Sequence, residues 1–274
     1  MKCITIMLAA ASLCAPLAEA GAQDAMPEAA PRNSAPEPTF DASAHGARLD
    51  ELGRKGDYSA ISALLDAPRS QREASANLDW LGLQFRTGSS SFFSLHYSSY
   101  LAAFAERLPA AQAEQLRGTA LAALVHAVMA AQSDAQQCAD GTARGHLAAR
   151  LLERLAGSGL TELHETMRKQ AAFIALRVEE IGWDQRKRIN DARYLCAGGL
   201  DAMIDGLSQG ATREVETPKG QFGRTIAVTP PEGFEYPRLP DAEWWPRAES
   251  IRAKNSDTVM QLLDLDNLSF DPDQ

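Results

Sequence analysis

AEQLRGTALAALVHAVMAA, residues 113–131, is the stretch that decides the fold of this chain. After Arg117 it has almost no polar face, because Leu121, Leu124, Val125, Val128 and Met129 are separated mainly by alanines. A helix that is apolar nearly all round belongs in the middle of a bundle, enclosed by other helices. The spacing therefore predicts a central helix, and the flanking sequence must supply its neighbours.

Downstream, Leu160, Leu163, Met167, Ala171, Ile174, Val178 and Ile181 keep the three-and-four spacing of a single helical stripe. The charged residues Glu162, Glu165, Arg168, Lys169, Glu179 and Glu180 fall on the other face, which is expected in water. Between the two helices, Leu147, Leu151, Leu152 and Leu155 give a shorter one that stops at Gly157-Ser158-Gly159. There a glycine supplies a left-handed residue and the serine caps the next start. Asp184, following Trp183, reads as the N-cap of a further helix with Ile189, Ala192, Cys196, Leu200, Met203 and Leu207 as its inner stripe. Gly198-Gly199 interrupts it at about 1 kcal/mol per glycine relative to alanine, which predicts close approach of a neighbouring helix.

Upstream, Ile61, Leu64 and Leu65 lie in a short helix closed by Pro68, and Ser70 caps the next, lined by Ala74, Leu78, Leu81 and Phe85. A flexible turn at residues 88–91 leads into the aromatic stripe Phe93, Tyr97, Tyr100, Leu101, Phe104 and Leu108, bounded by Pro109. The pieces Gly56-Asp57-Tyr58 and Trp80-Leu81-Gly82 resemble helices of tetratricopeptide or Sel1-type repeats. That likeness covers two short patches and implies an α-solenoid-like shape, although no repeat period holds along the chain. The expected class is all-α, an irregular helical bundle or an α-solenoid-like array of antiparallel helix pairs over residues 40–210. Residues 211–240 form a mostly irregular segment, with a small hairpin expected between residues 213–217 and 224–229. Pro230, Pro231, Pro237 and Pro240 impose an extended path. Residues 241–274 supply a last helix, tolerant of Pro246 in its first turns, and an acidic tail.

The N-terminus predicts the compartment. Met1-Lys2, the apolar run of residues 4–17 and the small residues around Ala20 and Ala22 read as a secretory signal peptide over residues 1–22. Residues 23–39, with Pro27, Pro31, Pro36 and Pro38, read as a disordered linker. The early apolar run is shorter than the roughly 20 residues a bilayer needs, and no later segment reaches that length, so no transmembrane anchor is expected. Cleavage would remove Cys3 and Cys14 and leave Cys138 and Cys196 to pair in the periplasm or outside the cell. Their bond would stabilise the fold by about 4 kcal/mol. Cleavage also removes one charge of each sign, Lys2 and Glu19, so the net charge stays at -9 and neither nucleic acid nor an anionic membrane is a default partner.

Few residues suggest chemistry. His126 with Met129 and His164 with Met167 pair an imidazole with a thioether one turn apart, donors that suit copper or haem. Methionine at such spacing is also common core filling. Glu162/Glu165 and Asp201/Asp205 are carboxylate pairs, but acid–base work needs them across a cleft with one desolvated. The run Arg186-Lys187-Arg188 with Arg193 reads as a solvated face. Trp244, Trp245, Phe234 and Tyr236 are candidate partner-contacting residues, or anchors that dock the tail. The expectation is an exported, soluble, non-enzymatic interaction or scaffold module without a cofactor, whose partner is another protein or a cell-envelope component. The alternatives are a cell-wall or glycan-acting hydrolase using an acidic residue, and copper or haem binding at the His/Met positions.

Overall fold

A computed structural model describes residues 40–186, 192–209, 212–215, 225–228 and 234–265. The signal peptide and linker expected over residues 1–39 lie outside the described residues, as do Lys187, Arg188 and Ile189. In chain order the helices are α1 (Ala42–Lys55), α2 (Tyr58–Asp66), α3 (Gln71–Arg86), α4 (Ser91–Ala105), α5 (Ala110–Asp134), α6 (Ala143–Gly157), α7 (Glu165–Arg186), α8 (Ala192–Leu195) and α9 (Leu200–Ser208). Strands β1 (Thr212–Val215) and β2 (Thr225–Val228) follow, then α10 (Asp241–Arg252) and α11 (Asn255–Leu262). The fold class is all-α.

Helix α5 is the centre. From Ala120 to Ala131 every residue of it is at most 1% exposed, since α4, α6, α7 and α10 pack around it. Its alanines let those neighbours come close, and larger side chains would hold them apart. In a solenoid each repeat touches only its neighbours. Here α5 also meets α10, from the far end of the chain, so the packing is that of a bundle.

Local chemistry sets the boundaries. Asp41 caps α1 by accepting from the amides of Ser43 and Ala44, and Gly56, at φ 64°, ends it. Ser70 accepts from the Glu73 amide to start α3. After α6, Ser158 accepts from the Leu160 amide and Gly159 takes φ 67°. Strands β1 and β2 are antiparallel, pairing Thr212 with Val228 and Val215 with Thr225.

Three expectations need correction. Asp184 does not open a helix: α7 continues through Trp183 and Asp184 to Arg186. The reason is that Gly182 presses against the turn at Gly88, where a Cβ would run into backbone, while Arg186 is drawn inward by buried acids. Glu179 is not on a wet face but 3% exposed, and Arg186 of the basic run is equally buried. The stripe of Leu200, Met203 and Leu207 does not face inward, because the chain turns at Gly198-Gly199 before α9 starts. The small residues Ala202 and Gly206 face the bundle instead.

The two glycines do mark a close approach. A Cβ on Gly198 would occupy the His146 ring, and one on Gly199 the Asp140 carboxylate. Cys138 and Cys196 form the disulfide, with Cα atoms 5.7 Å apart and 58 residues between them in sequence. The C-terminal segment is strapped beside it: Ala139 donates to Pro237 O at 3.0 Å and Leu239 to Gln137 O at 2.8 Å.

Candidate functional site

Extending the buried stripe of α7 by sevens, from Ala172 to Glu179 to Arg186, carries two charges into the interior. A charge survives there only when paired. Arg186 Nε donates to Asp134 Oδ2 at 3.0 Å, Nη2 to Glu179 Oε2 at 2.7 Å and Nη1 to the carbonyl of Gly88 at 3.0 Å. Arg252 of α10 donates to the other Glu179 oxygen at 3.3 Å, so two cations meet two anions. Burial opposes the Arg186 charge, but Asp134 and Glu179 outweigh it and raise its pKa.

His126, wholly buried on α5, sits beside this knot with Ser94 Oγ 2.8 Å from Nδ1 and Glu179 Oε2 3.5 Å from Nε2. With the Nε2 proton facing the carboxylate, Nδ1 accepts from the serine. This order of serine, imidazole and carboxylate matches the residue types of a nucleophilic triad. Ser94 and His126 are both 0% exposed, however, and Glu179 is already bound by two guanidiniums. Burial, then the nearby Arg186 charge, push the His126 pKa well below its ordinary 6.5 despite the short distance to Glu179. The imidazole is therefore neutral, and the group works as a polar lock joining α4, α5, α7 and α10.

The lock continues into the tail. Arg252 lies over the Trp183 ring at 4.4 Å, and Trp183 Nε1 donates to Glu249 at 3.1 Å. Trp244, 1% exposed, packs edge-on against Trp183 with ring centroids 6.3 Å apart. Its Nε1 donates to Asp241. Trp244 thus anchors α10, whereas Trp245, Phe234 and Tyr236 remain half-buried. Tyr236 packs against the cluster around Cys138 and Cys196.

The structure does not bring the two His/Met pairs together. His164 is exposed and meets Glu114, twelve positions and therefore about 18 Å along α5 from His126. Met129 is fully buried, and the Met167 methyl fills the space beside Gly118. Among the described residues, no group of three or more His, Cys, Asp or Glu is placed to hold a metal. Glu162, Glu165, Asp201 and Asp205 are all exposed, and Lys169 holds Glu165 below its ordinary pKa.

The exposed feature that stands out is α9. Leu200, Met203, Ile204 and Leu207 are 49%, 46%, 53% and 49% exposed, a stripe at one-four-five-eight spacing that faces away from the bundle. Its base is held from three directions. Cys196 is bonded to Cys138, the Leu200 amide donates to Thr142 Oγ1 at 2.8 Å, and the Asp201 amide donates to Asp140 Oδ2 at 3.1 Å. Slight burial tends to raise the Asp140 pKa, but hydrogen bonds from Thr142, Asp201 and Ala143 prevail and lower it.

A cavity of about 470 Å³ lies between α5, α6 and the C-terminal helices, with Lys254 and Arg144 in its wall. Arg144 is committed to the carbonyls of Cys138 and Ala139. No helix among the described residues is long and apolar enough to cross a membrane. Neither the models of known protein families, nor the curated proteins, nor the solved structures compared with this chain gave a match.

Proposed function

We propose that this chain is an exported, disulfide-stapled helical module that binds another protein of the cell envelope through the outer face of α9. One observation carries the reading: four large apolar residues share one exposed face of a helix whose base is fixed by the disulfide just before it and by two amide hydrogen bonds to the side chains of Thr142 and Asp140. Contiguous exposed apolar surface of this kind marks interaction sites, whereas single exposed leucines are ordinary. A stable dimer interface uses about 20–30 residues a side, far more than this stripe provides, so a single amphipathic helix fits better than a second copy. Asp201 and Asp205 border the stripe in a chain of net charge -9, which favours a partner helix with a basic edge. Export is supported by the N-terminal pattern and by a disulfide suited to an oxidising compartment.

The test is capture of envelope proteins on the oxidised chain beginning after residue 22. Met203→Lys with Ile204→Lys is expected to abolish recovery of a specific partner. Leu83→Lys, at a 51% exposed leucine on α3, is expected to leave it intact. Equal recovery by all three proteins would refute α9 as the contact.

A further inference from the structure

A second cavity, of about 350 Å³, opens where α4, α5 and the end of α6 meet, at the lower end of the size range of small-molecule sites. Its floor is apolar, made by Ala102, Leu124 and Leu160, and its wall carries Ser98, Ser99 and Arg154. Arg154 donates through Nη2 to Ser99 Oγ at 2.7 Å, and Ser99 in turn donates to the Leu95 carbonyl at 2.8 Å, which fixes the guanidinium at the mouth. Among the described residues Arg154 has no carboxylate partner, although acidic residues outnumber basic ones in this chain, 36 to 27. Deeper in, Ser98 is only 4% exposed and lines the same space. Ser158, by contrast, is used up: it donates to Leu155 O and accepts from the Leu160 amide.

From this geometry we infer that the cavity binds a small organic carboxylate with a short apolar body. The carboxylate takes the free guanidinium N–H groups of Arg154 and the hydroxyl of Ser98, while the body lies on Leu124 and Leu160. A guanidinium offers paired donors matched to a carboxylate. The carbonyl end of α6, at Gly157, borders the same space and carries partial negative charge; it opposes any anion there, which the Arg154 charge must offset, and opposes a phosphate dianion more than a carboxylate. The site stands apart from α9 and does not depend on the partner reading.

The experiment is an amide-resolved NMR titration of the oxidised chain with butyrate, with butyramide and inorganic phosphate in parallel. Butyrate is expected to give saturable shifts at Ser98, Leu124 and Ser158, weakened about tenfold by Arg154→Gln and several-fold by Ser98→Ala. Butyramide and phosphate are expected to give none. Since Arg154 is exposed, its substitution should leave the melting temperature unchanged, which separates lost binding from lost folding. Absence of saturable shifts, shifts unaltered by Arg154→Gln, or phosphate binding as tightly as butyrate would each overturn the proposal.

Discussion

Arg186 shows most plainly how one residue holds several elements at once. Its guanidinium reaches Asp134 on α5, Glu179 on its own helix and the Gly88 carbonyl of the turn before α4. Removing one partner of a buried ionic group strands the others, at a cost of about 3–5 kcal/mol. Arg186→Met should therefore lower stability by that amount in urea unfolding. His126 adds a pH dependence whose sign follows from its depressed folded pKa. The unfolded chain takes up a proton below about 6.5 that the folded chain refuses, so stability is full above that pH and is lost as pH falls toward the folded value. The loss should reach up to about 1.4 kcal/mol per pH unit. His96 is depressed in the same direction by burial, so the comparison must be made against His126→Gln, in which His96 is unchanged. Urea unfolding between neutral and mildly acidic pH should show a shallower slope for the variant; identical slopes would rule out the buried neutral imidazole.

At the scale of elements, close contact of backbone with backbone is the controlling feature. Gly182→Ala would improve intrinsic helix propensity by about 1 kcal/mol. Its Cβ would nevertheless meet the backbone of Gly88, and overpacking of that kind costs about 1–3 kcal/mol, so the net effect is destabilising. A melting temperature above that of the parent protein would show that the contact is looser than described. The same contact explains what the sequence alone conveyed and what it did not. The all-apolar run of α5 and the serine at α3 are local signals, and each lies where its pattern says, while the glycine pair marks the expected close approach but precedes α9 rather than interrupting a helix. The end of α7 is not local. Trp183-Asp184 looks like a stop followed by a cap, and only the buried acids of α5 and the Gly88 turn keep the helix going to Arg186. Glu179 and Arg186 were readable as a seven-residue continuation of the inner face, but their charge argued for solvent until Asp134 was in place. The direction of α9 was unreadable for a related reason. Its stripe is a genuine helical stripe, and which side faces the bundle is set by the turn at Gly198 and Gly199 against His146 and Asp140.

In the molecule as a whole, one covalent bond joins the loop after α5 to the turn before α9, and the extended tail at residues 237–239 pairs alongside it. Changing Cys138 and Cys196 together to serine should cost about 4 kcal/mol of stability in the chain-entropy account. It should also raise amide exchange at Leu200 and Asp201, whose hydrogen bonds to Thr142 and Asp140 depend on that geometry. Faster exchange confined to other helices would separate the bond from α9.

The central claim is that the bundle exists to hold the α9 stripe outward for a partner. It is tested most directly by placing a photoreactive residue at position 204 of the full chain and cross-linking in living cells. The account predicts one predominant protein adduct, absent from the same probe at position 83 and lost in the cysteine-to-serine variant. No adduct from position 204, or the same adducts from both positions, would contradict it.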